Sequence, residues 1–487
     1  MAFLDESAWQ GRIFTGSWTA GGAGEIKVVE PATGTTLGTV GLANTDDLDA
    51  AAARAVAAQR EWASLPHPER AAVMRRAGEL WQTHADEIQR WIMRESGSLR
   101  PKAALETDVA AQECFEGAAL PSHPHGEILP SVTPRLLSTS KRVPVGVVGV
   151  IAPFNFPLIL SIRSVAPALA TGNAVILKPD PRTAVSGGVV LARIFEEAGL
   201  PAGVLQVLPG GADVGAALVE DPRVRAISFT GSTSAGRHVG AAASRHLKKV
   251  HLELGGNSAI IVLDDADLDA TVSAAAAGSF LHQGQICMAT GRHLVHTSVY
   301  EEFVAKLAEK AAALPVGDPM TEQVALGPII DRGQLDKIHA LVTASVDAGA
   351  RLAAGGTYEG LYYRPTVLAD VPLDAPAYAQ EVFGPVASVV EFTTPDEAVE
   401  LANDSEYGLS LGIFTRDIGR GLELADRIPT GIAHINDQTV ADEANIPFGG
   451  FGASGNGARF GGAANSFEAF TETRWITAVR EVPSYPF

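Results

Sequence analysis

Cys287 is one of only two cysteines in 487 residues, and it follows a turn, His282-Gln283-Gly284-Gln285-Ile286-Cys287. Its sequence neighbours are small or apolar. A thiol so placed is either a small buried hydrophobe or a nucleophile. Glu253 is a second reactive group. In Val250-His251-Leu252-Glu253-Leu254-Gly255-Gly256, strand alternation puts His251 and Glu253 on one face and Leu252 and Leu254 on the other. A carboxylate among apolar residues is partly desolvated, which raises its pKa toward general-base duty. The alternative is a carboxylate capping a turn, with His251 a hydrogen-bonded structural histidine. Asn155 lies between Phe154 and Phe156 and is bracketed by Pro153 and Pro157. A carboxamide on such a rigid turn either donates to an oxyanion or caps a helix.

A second group of residues suits a phosphate-bearing ligand. Gly231-Ser232-Thr233-Ser234-Ala235-Gly236 falls between a strand pattern and a helix pattern, where backbone N–H groups favour phosphate oxygens. A tight strand-to-helix turn explains it nearly as well. Lys178, followed by Pro179, ends another strand pattern, where a cation faces ribose or phosphate, or simply solvent. Glu381-Val382-Phe383-Gly384-Pro385 puts a carboxylate and an aromatic on one turn.

The elements that must position these residues follow from periodicity. Helices are expected over 46–62, 67–84, 85–96 and 101–119, the last containing Cys114, which reads as core packing. Four prolines interrupt residues 121–143, as in an extended arm. From Val143 the texture becomes strand–turn–helix, with apolar strands at 145–151, 174–178, 204–208, 226–229 and 250–254, the pattern of a doubly wound parallel sheet. A second α/β unit begins at Ser258, with strands expected at 258–263, 293–297, 386–392, 408–415 and 431–436. The net charge of −19 argues against nucleic acid or an anionic membrane as partner. No Cys/His cluster suggests a metal, no apolar run of membrane-spanning length occurs, and the first ten residues do not resemble a signal peptide. A cytoplasmic location is therefore expected.

Taken together, Pro153-Phe154-Asn155-Phe156-Pro157, Lys178-Pro179, Phe229-Thr230-Gly231-Ser232-Thr233, Glu253-Leu254-Gly255-Gly256, Gly284-Gln285-Ile286-Cys287, Glu381-Val382-Phe383-Gly384-Pro385 and Pro447-Phe448-Gly449-Gly450 occur in the order found in the aldehyde dehydrogenase superfamily. The resemblance covers essentially the whole chain. Residues 163–169, 178–183 and 434–443 most resemble those of benzaldehyde dehydrogenases of aromatic catabolism, which are similar to vanillin and salicylaldehyde dehydrogenases.

The resemblance implies a Rossmann-type cofactor domain over 1–121 and 144–254, an α/β catalytic domain over 255–455, and a small β oligomerisation arm from 122–143 and 470–487, hence a homodimer or homotetramer. It implies NAD-dependent oxidation of an aromatic aldehyde, with NADP tolerated. Cys287 would attack the carbonyl, Asn155 would hold the oxyanion, and Glu253 would activate water to release the acid. Lys178, Gly231, Ser232, Gly236, Glu381 and Phe383 would hold the cofactor. Phe154, Leu158, Arg163, Ile286, Met288 and Phe448 would line the substrate pocket, and no metal is implied. Three departures stand out. Pro181 occupies a position where many NAD-preferring relatives have Glu, and the adjacent Arg182 is a candidate partner for a 2′-phosphate. His251 replaces a frequent Thr or Ser. Arg163 replaces a frequent aromatic, which leaves open a semialdehyde dehydrogenase that uses it to bind a substrate carboxylate. A silent structural relative and a CoA-acylating enzyme are weaker readings, given intact Cys287, Asn155 and Glu253.

Overall fold

The computed structural model describes residues 3–486. Its first domain is built on a seven-stranded sheet in which Lys249–Glu253, Val224–Thr230, Val147–Ile151, Ala174–Lys178 and Leu205–Val207 lie side by side, all parallel. Their sequences are runs of Val, Ile, Leu and Ala because helices cover both faces. Every residue of Ala174–Lys178 is buried. The edge was not anticipated: Arg12–Phe14 pairs antiparallel with Leu205–Val207 through Phe14 and Val207, and Trp18–Ala20 follows it. The apolar pieces near 26–29 and 37–40 form a separate hairpin, Glu25–Val29 with Thr36–Gly41.

Four long helices precede the parallel strands: Thr45–Ser64, His67–Thr83, Ala85–Ser96 and Arg100–Ala119. The first opens with a capping box between Asn44 and Asp47. The third ends at Gly97 in the left-handed region. The helix Pro157–Ala170 starts with proline at its first turn and is buried along its whole length. Each fully buried Leu, Ile or Val there contributes about 1.5–3 kcal/mol, which fixes the loop that precedes the helix.

The second domain carries another seven-stranded sheet, ordered Arg351–Ala354, Thr366–Ala369, Val386–Phe392, Thr290–His296, Ser258–Val262, Ser410–Phe414 and Ile432–Ile435. All neighbours are parallel except the first pair. A third sheet stands apart. Leu137–Pro144 pairs antiparallel with both Gly126–Ile128 and Thr471–Ala478 near the C-terminus. Among the described residues no helix is long and apolar enough to cross a membrane.

Candidate active site

The loop before Cys287 is held in an unusual backbone conformation. His282, Gln283 and Gly284 all have positive φ (47°, 56° and 65°), and all three are buried. Non-glycine residues at positive φ carry strain that surrounding contacts must offset. Here Gln283 Nε2 donates to the Gly97 and Pro328 carbonyls at 3.1 and 2.8 Å, and Gln285 Oε1 accepts from Ile330 N–H at 3.1 Å. Gly284 is required for contact. A Cβ there would run into the Gly384 carbonyl, so the cysteine loop lies directly on the Glu381–Pro385 turn. Gly256 likewise presses on the Cys287 carbonyl. Thus two of the sequence motifs touch the cysteine loop through glycines.

Asn155 comes from the other side. Its Nδ2 donates to the Gln285 carbonyl at 2.9 Å, which uses one of its two hydrogens and leaves the other available. A buried pair anchors its turn: Lys102 Nζ donates to the Asn155 carbonyl at 2.7 Å and pairs with Glu106. Glu106 Oε2 accepts from Leu158 N–H at 3.0 Å and Ile159 N–H at 3.3 Å, satisfying the start of the helix Pro157–Ala170.

Two cavities meet at Cys287, and Asn155 and Leu160 also line both. The first, about 330 Å³, runs along the carboxyl edge of the parallel sheet past Lys178, Gly231, Ser232, Glu381 and Phe383. Ser232 is the N-cap of the helix Thr233–Arg245 and accepts from Ala235 N–H. A cation, a helix N-terminus, a carboxylate and an aromatic in sequence along one cleft fit a dinucleotide. Gly236 is not on this cleft. It sits in the first turn of the helix, where a Cβ would strike Leu254, so its role is packing. Arg182 lines the cleft but is not free for a 2′-phosphate. Its guanidinium pairs with Asp180 at 2.8 Å and Asp331 at 2.7 Å and lies 4.1 Å from the Phe154 ring centre.

The second cavity, about 240 Å³, has mostly apolar walls that include Leu105, Phe156, Ile159, Ile286, Met288 and Phe448. Two expected pocket residues are elsewhere. Phe154 faces the first cleft, edge-on to Phe383 at 5.9 Å. Leu158 is fully buried in the core. Helical period explains this: Phe156, Ile159, Leu160 and Arg163 share one face, while Leu158, Ile162, Val165 and Leu169 share another. Arg163 does line the cavity. It pairs with Asp442 and its guanidinium carbon lies 4.5 Å from the Phe448 ring centre.

Burial dominates the electrostatics. Cys287 is pushed up to about 12, first by desolvation and then by Glu381 and Glu253. Glu253 is raised well above the usual carboxylate range by burial, against the opposing pull of Arg163 and Arg459. Burial also raises Glu381, to about 7. Burial thus shifts both carboxyls and the thiol toward their neutral forms. Reading the sequence missed Lys102, Glu106 and Asp442. The first two stand four residues apart on a helix among apolar residues, a visible signal, whereas nothing near Asp442 announces its partner 279 residues away. Among the described residues no group of three or more His, Cys, Asp or Glu is placed to hold a metal.

Residues 18–476 match the model of the aldehyde dehydrogenase family. A vanillin dehydrogenase of Amycolatopsis sp. is 69% identical over 487 residues, covering all of both chains. A benzaldehyde dehydrogenase (NAD⁺) of Pseudomonas putida is 51% identical over 483 residues, 99% of each. The crystal structure of betaine aldehyde dehydrogenase from Staphylococcus aureus in complex with NAD⁺ superposes with a TM-score of 0.96 at 28% identity, covering 100% of this chain and 98% of that one. With the two cavities meeting at a cysteine, these matches establish that the chain belongs to the aldehyde dehydrogenase family.

Proposed function

We propose that this protein oxidises an aromatic aldehyde to its carboxylic acid with a nicotinamide dinucleotide, NAD in preference to NADP. One observation carries the reading: the cysteine stands where a dinucleotide-shaped cleft meets a small, mostly apolar cavity. Cys287 Sγ bonds to the aldehyde carbon, and the free Asn155 Nδ2–H and the Cys287 N–H hold the oxygen of the adduct. A nicotinamide bound by Glu381 and Phe383 supplies the hydride acceptor that makes the adduct a thioester. Lys178, Gly231 and Ser232 hold the rest of that cofactor. Glu253 takes a proton from water, whose oxygen bonds to the thioester carbon as the C–S bond breaks and the acid leaves.

Arg163 does not favour a semialdehyde. Its charge is matched by Asp442, and its plane is occupied by Phe448. Lys102, the other cation on the cavity wall, is held by Glu106 and the Asn155 carbonyl. Asp442 Oδ1, in contrast, is buried with no well-aligned donor, so a ring hydroxyl gains an acceptor there. A panel of benzaldehyde, vanillin and succinate semialdehyde, assayed with NAD and NADP in parallel, tests the reading. We expect vanillin to exceed benzaldehyde in kcat/KM by about tenfold, as a hydrogen bond to a charged group warrants, and the semialdehyde to trail both by at least ~100-fold, because its carboxylate would be buried unpaired. NADP should trail NAD, because Arg182 is committed and Asp180 lines the cleft. A preference for the semialdehyde overturns the proposal.

The domain division at 254/255, with the arm drawn from 122–143 and 470–487, belongs to the same reading. So does assembly into a homodimer or homotetramer through that arm, where Ile128, Val132, Leu137 and Trp475 are exposed. Light scattering should give at least twice the chain mass, and Trp475→Glu should lower it. Two free thiols and an acidic surface support a cytoplasmic setting.

A further inference from the structure

Behind Glu253 lies a side chain that the proposed mechanism does not yet use. His251 projects from the same face of the strand Lys249–Glu253, and its Nε2 lies 3.3 Å from Glu253 Oε1. The imidazole stacks on Phe460, with ring centres 3.8 Å apart and planes 22° apart, so its plane is fixed. Phe460 in turn pairs through its backbone with Phe448 of the apolar cavity. The two outer atoms of this pair, His251 Nδ1 and Glu253 Oε2, are both buried without a well-aligned partner. Buried polar atoms are normally satisfied, so two orphans at opposite ends of one hydrogen bond call for an explanation.

His251 also lines a third cavity, of about 330 Å³, with Lys249, Asn456, Arg459, Asn465 and Glu468. This cavity shares no lining residue with either cavity at Cys287. Asn456 and Glu468 on it are exposed, so it communicates with solvent in the single chain. The charged groups facing the pair are Arg163 and Arg459, with Asp442 facing Glu253 as well. With burial, the two arginines hold His251 down to about 3, so the ring does not store an extra proton but remains able to pass one on.

We propose that His251 is a positioning and proton-relaying residue for Glu253, connecting the deacylation base to solvent in the third cavity. The inference rests on reading Glu253 as that base. Each turnover converts aldehyde and water to carboxylate and releases two protons, both in net from the water because the Cys287 thiol is restored. Glu253 takes the water proton as the C–O bond forms and the C–S bond breaks. Oε1 then gives a proton to His251 Nε2 while Nδ1–H gives its own to a water that enters from the third cavity. A half-turn of the ring in its own plane, which the stack on Phe460 allows, then takes Nε2 off Glu253 so that both nitrogens exchange with water and the starting tautomer returns. No oxidant beyond the nicotinamide of the main reaction is needed.

His251→Phe keeps an aromatic ring against Phe460 and removes both nitrogens. In rapid-mixing experiments with benzaldehyde and NAD we expect its first-turnover burst of reduced nicotinamide to form at the wild-type rate, with an amplitude of about one per site. Its steady-state kcat should fall roughly tenfold, less than the loss from removing the base itself. His251→Gln keeps a hydrogen-bond partner for Oε1 but breaks the relay, and it should behave the same way, which covers the case in which the phenylalanine variant does not fold. Added imidazole should restore turnover in His251→Gly. Wild-type kcat in both His251→Phe and His251→Gln, equal slowing of burst and steady state, or no rescue by imidazole would each overturn the relay. Glu253→Gln, run in parallel, separates the two ideas: failure of that variant to stall after one turnover defeats the base itself, whereas a stalled Glu253→Gln beside a normal His251→Phe and His251→Gln defeats only the relay.

Discussion

Replacing Cys287 with alanine removes aldehyde oxidation while leaving the fold and cofactor binding in place. Among the described residues the thiol is the only nucleophile on the wall shared by the two cavities, so no neighbour substitutes for it, and the expected loss in kcat is at least ~10⁴-fold. Steady-state formation of reduced nicotinamide measures the loss. Unchanged thermal unfolding, and a retained rise in melting temperature on adding NAD, confirm that only chemistry is gone. Oxidation above about 1% of wild type in Cys287→Ala would overturn the assignment. The same thiol has a pH signature. Its pKa of about 12 leaves on the order of one thiolate in 10⁴ at pH 8. Alkylation by iodoacetamide should therefore rise steadily with pH across the neutral range and should accelerate when the positively charged nicotinamide occupies the cleft. Cys114, fully buried, should not be alkylated in the folded protein.

How far these residues could be read from sequence depended on the reach of each signal. The parallel strands were legible because continuous Val, Ile and Leu runs have one use in an α/β sheet, and the observed strands start and end within three residues of those runs. Cys287, Glu253 and Asn155 stood out because glycines or prolines flank them, and the structure brings Cys287 and Asn155 onto shared cavity walls with Gly256, three residues after Glu253, packed on the cysteine loop. The helix face was harder. Leu158 and Ile159 are adjacent aliphatic residues, and only the packed position of the helix decides which one faces the cavity. Gly236 looked like a phosphate-turn glycine, yet Leu254 is the neighbour that requires it. Arg163 was legible as an anomaly but not as a paired one, because its partner Asp442 is close only in the fold. Lys102 and Glu106 drew no notice because the N-terminal helices were read as structural, whereas both are buried and steady the turn that carries Asn155. The antiparallel edge formed by Arg12–Phe14 and Trp18–Ala20 was missed because three-residue strands carry too short a pattern to show a period.

Glu253→Gln should separate the two halves of the reaction. Glutamine has nearly the same shape and keeps a hydrogen-bond partner for His251, so the cavity and the strand Lys249–Glu253 are undisturbed. A carboxamide cannot take a proton from water, so the thioester forms but is not hydrolysed. Rapid mixing should show one reduced nicotinamide per active site at the wild-type rate, followed by turnover slowed about 10²–10⁴-fold. Intact-mass measurement after the burst should find the acyl group on Cys287. Hydroxylamine attacks a thioester without help from a base, so it should restart turnover and yield the hydroxamate. The pH dependence follows from the direction of the shift. Burial raises the Glu253 carboxyl well above its ordinary value, so at low pH it is protonated and unable to act, and the wild-type deacylation rate grows as pH climbs through that raised pKa. Glu253→Gln loses this rise and gives a flat profile for the slow phase. If the variant instead keeps wild-type kcat, or loses the burst together with the steady state, Glu253 is not the residue that activates water. The base must then be sought among the other buried carboxyls that act electrostatically on the thiol, Glu381 and Asp442.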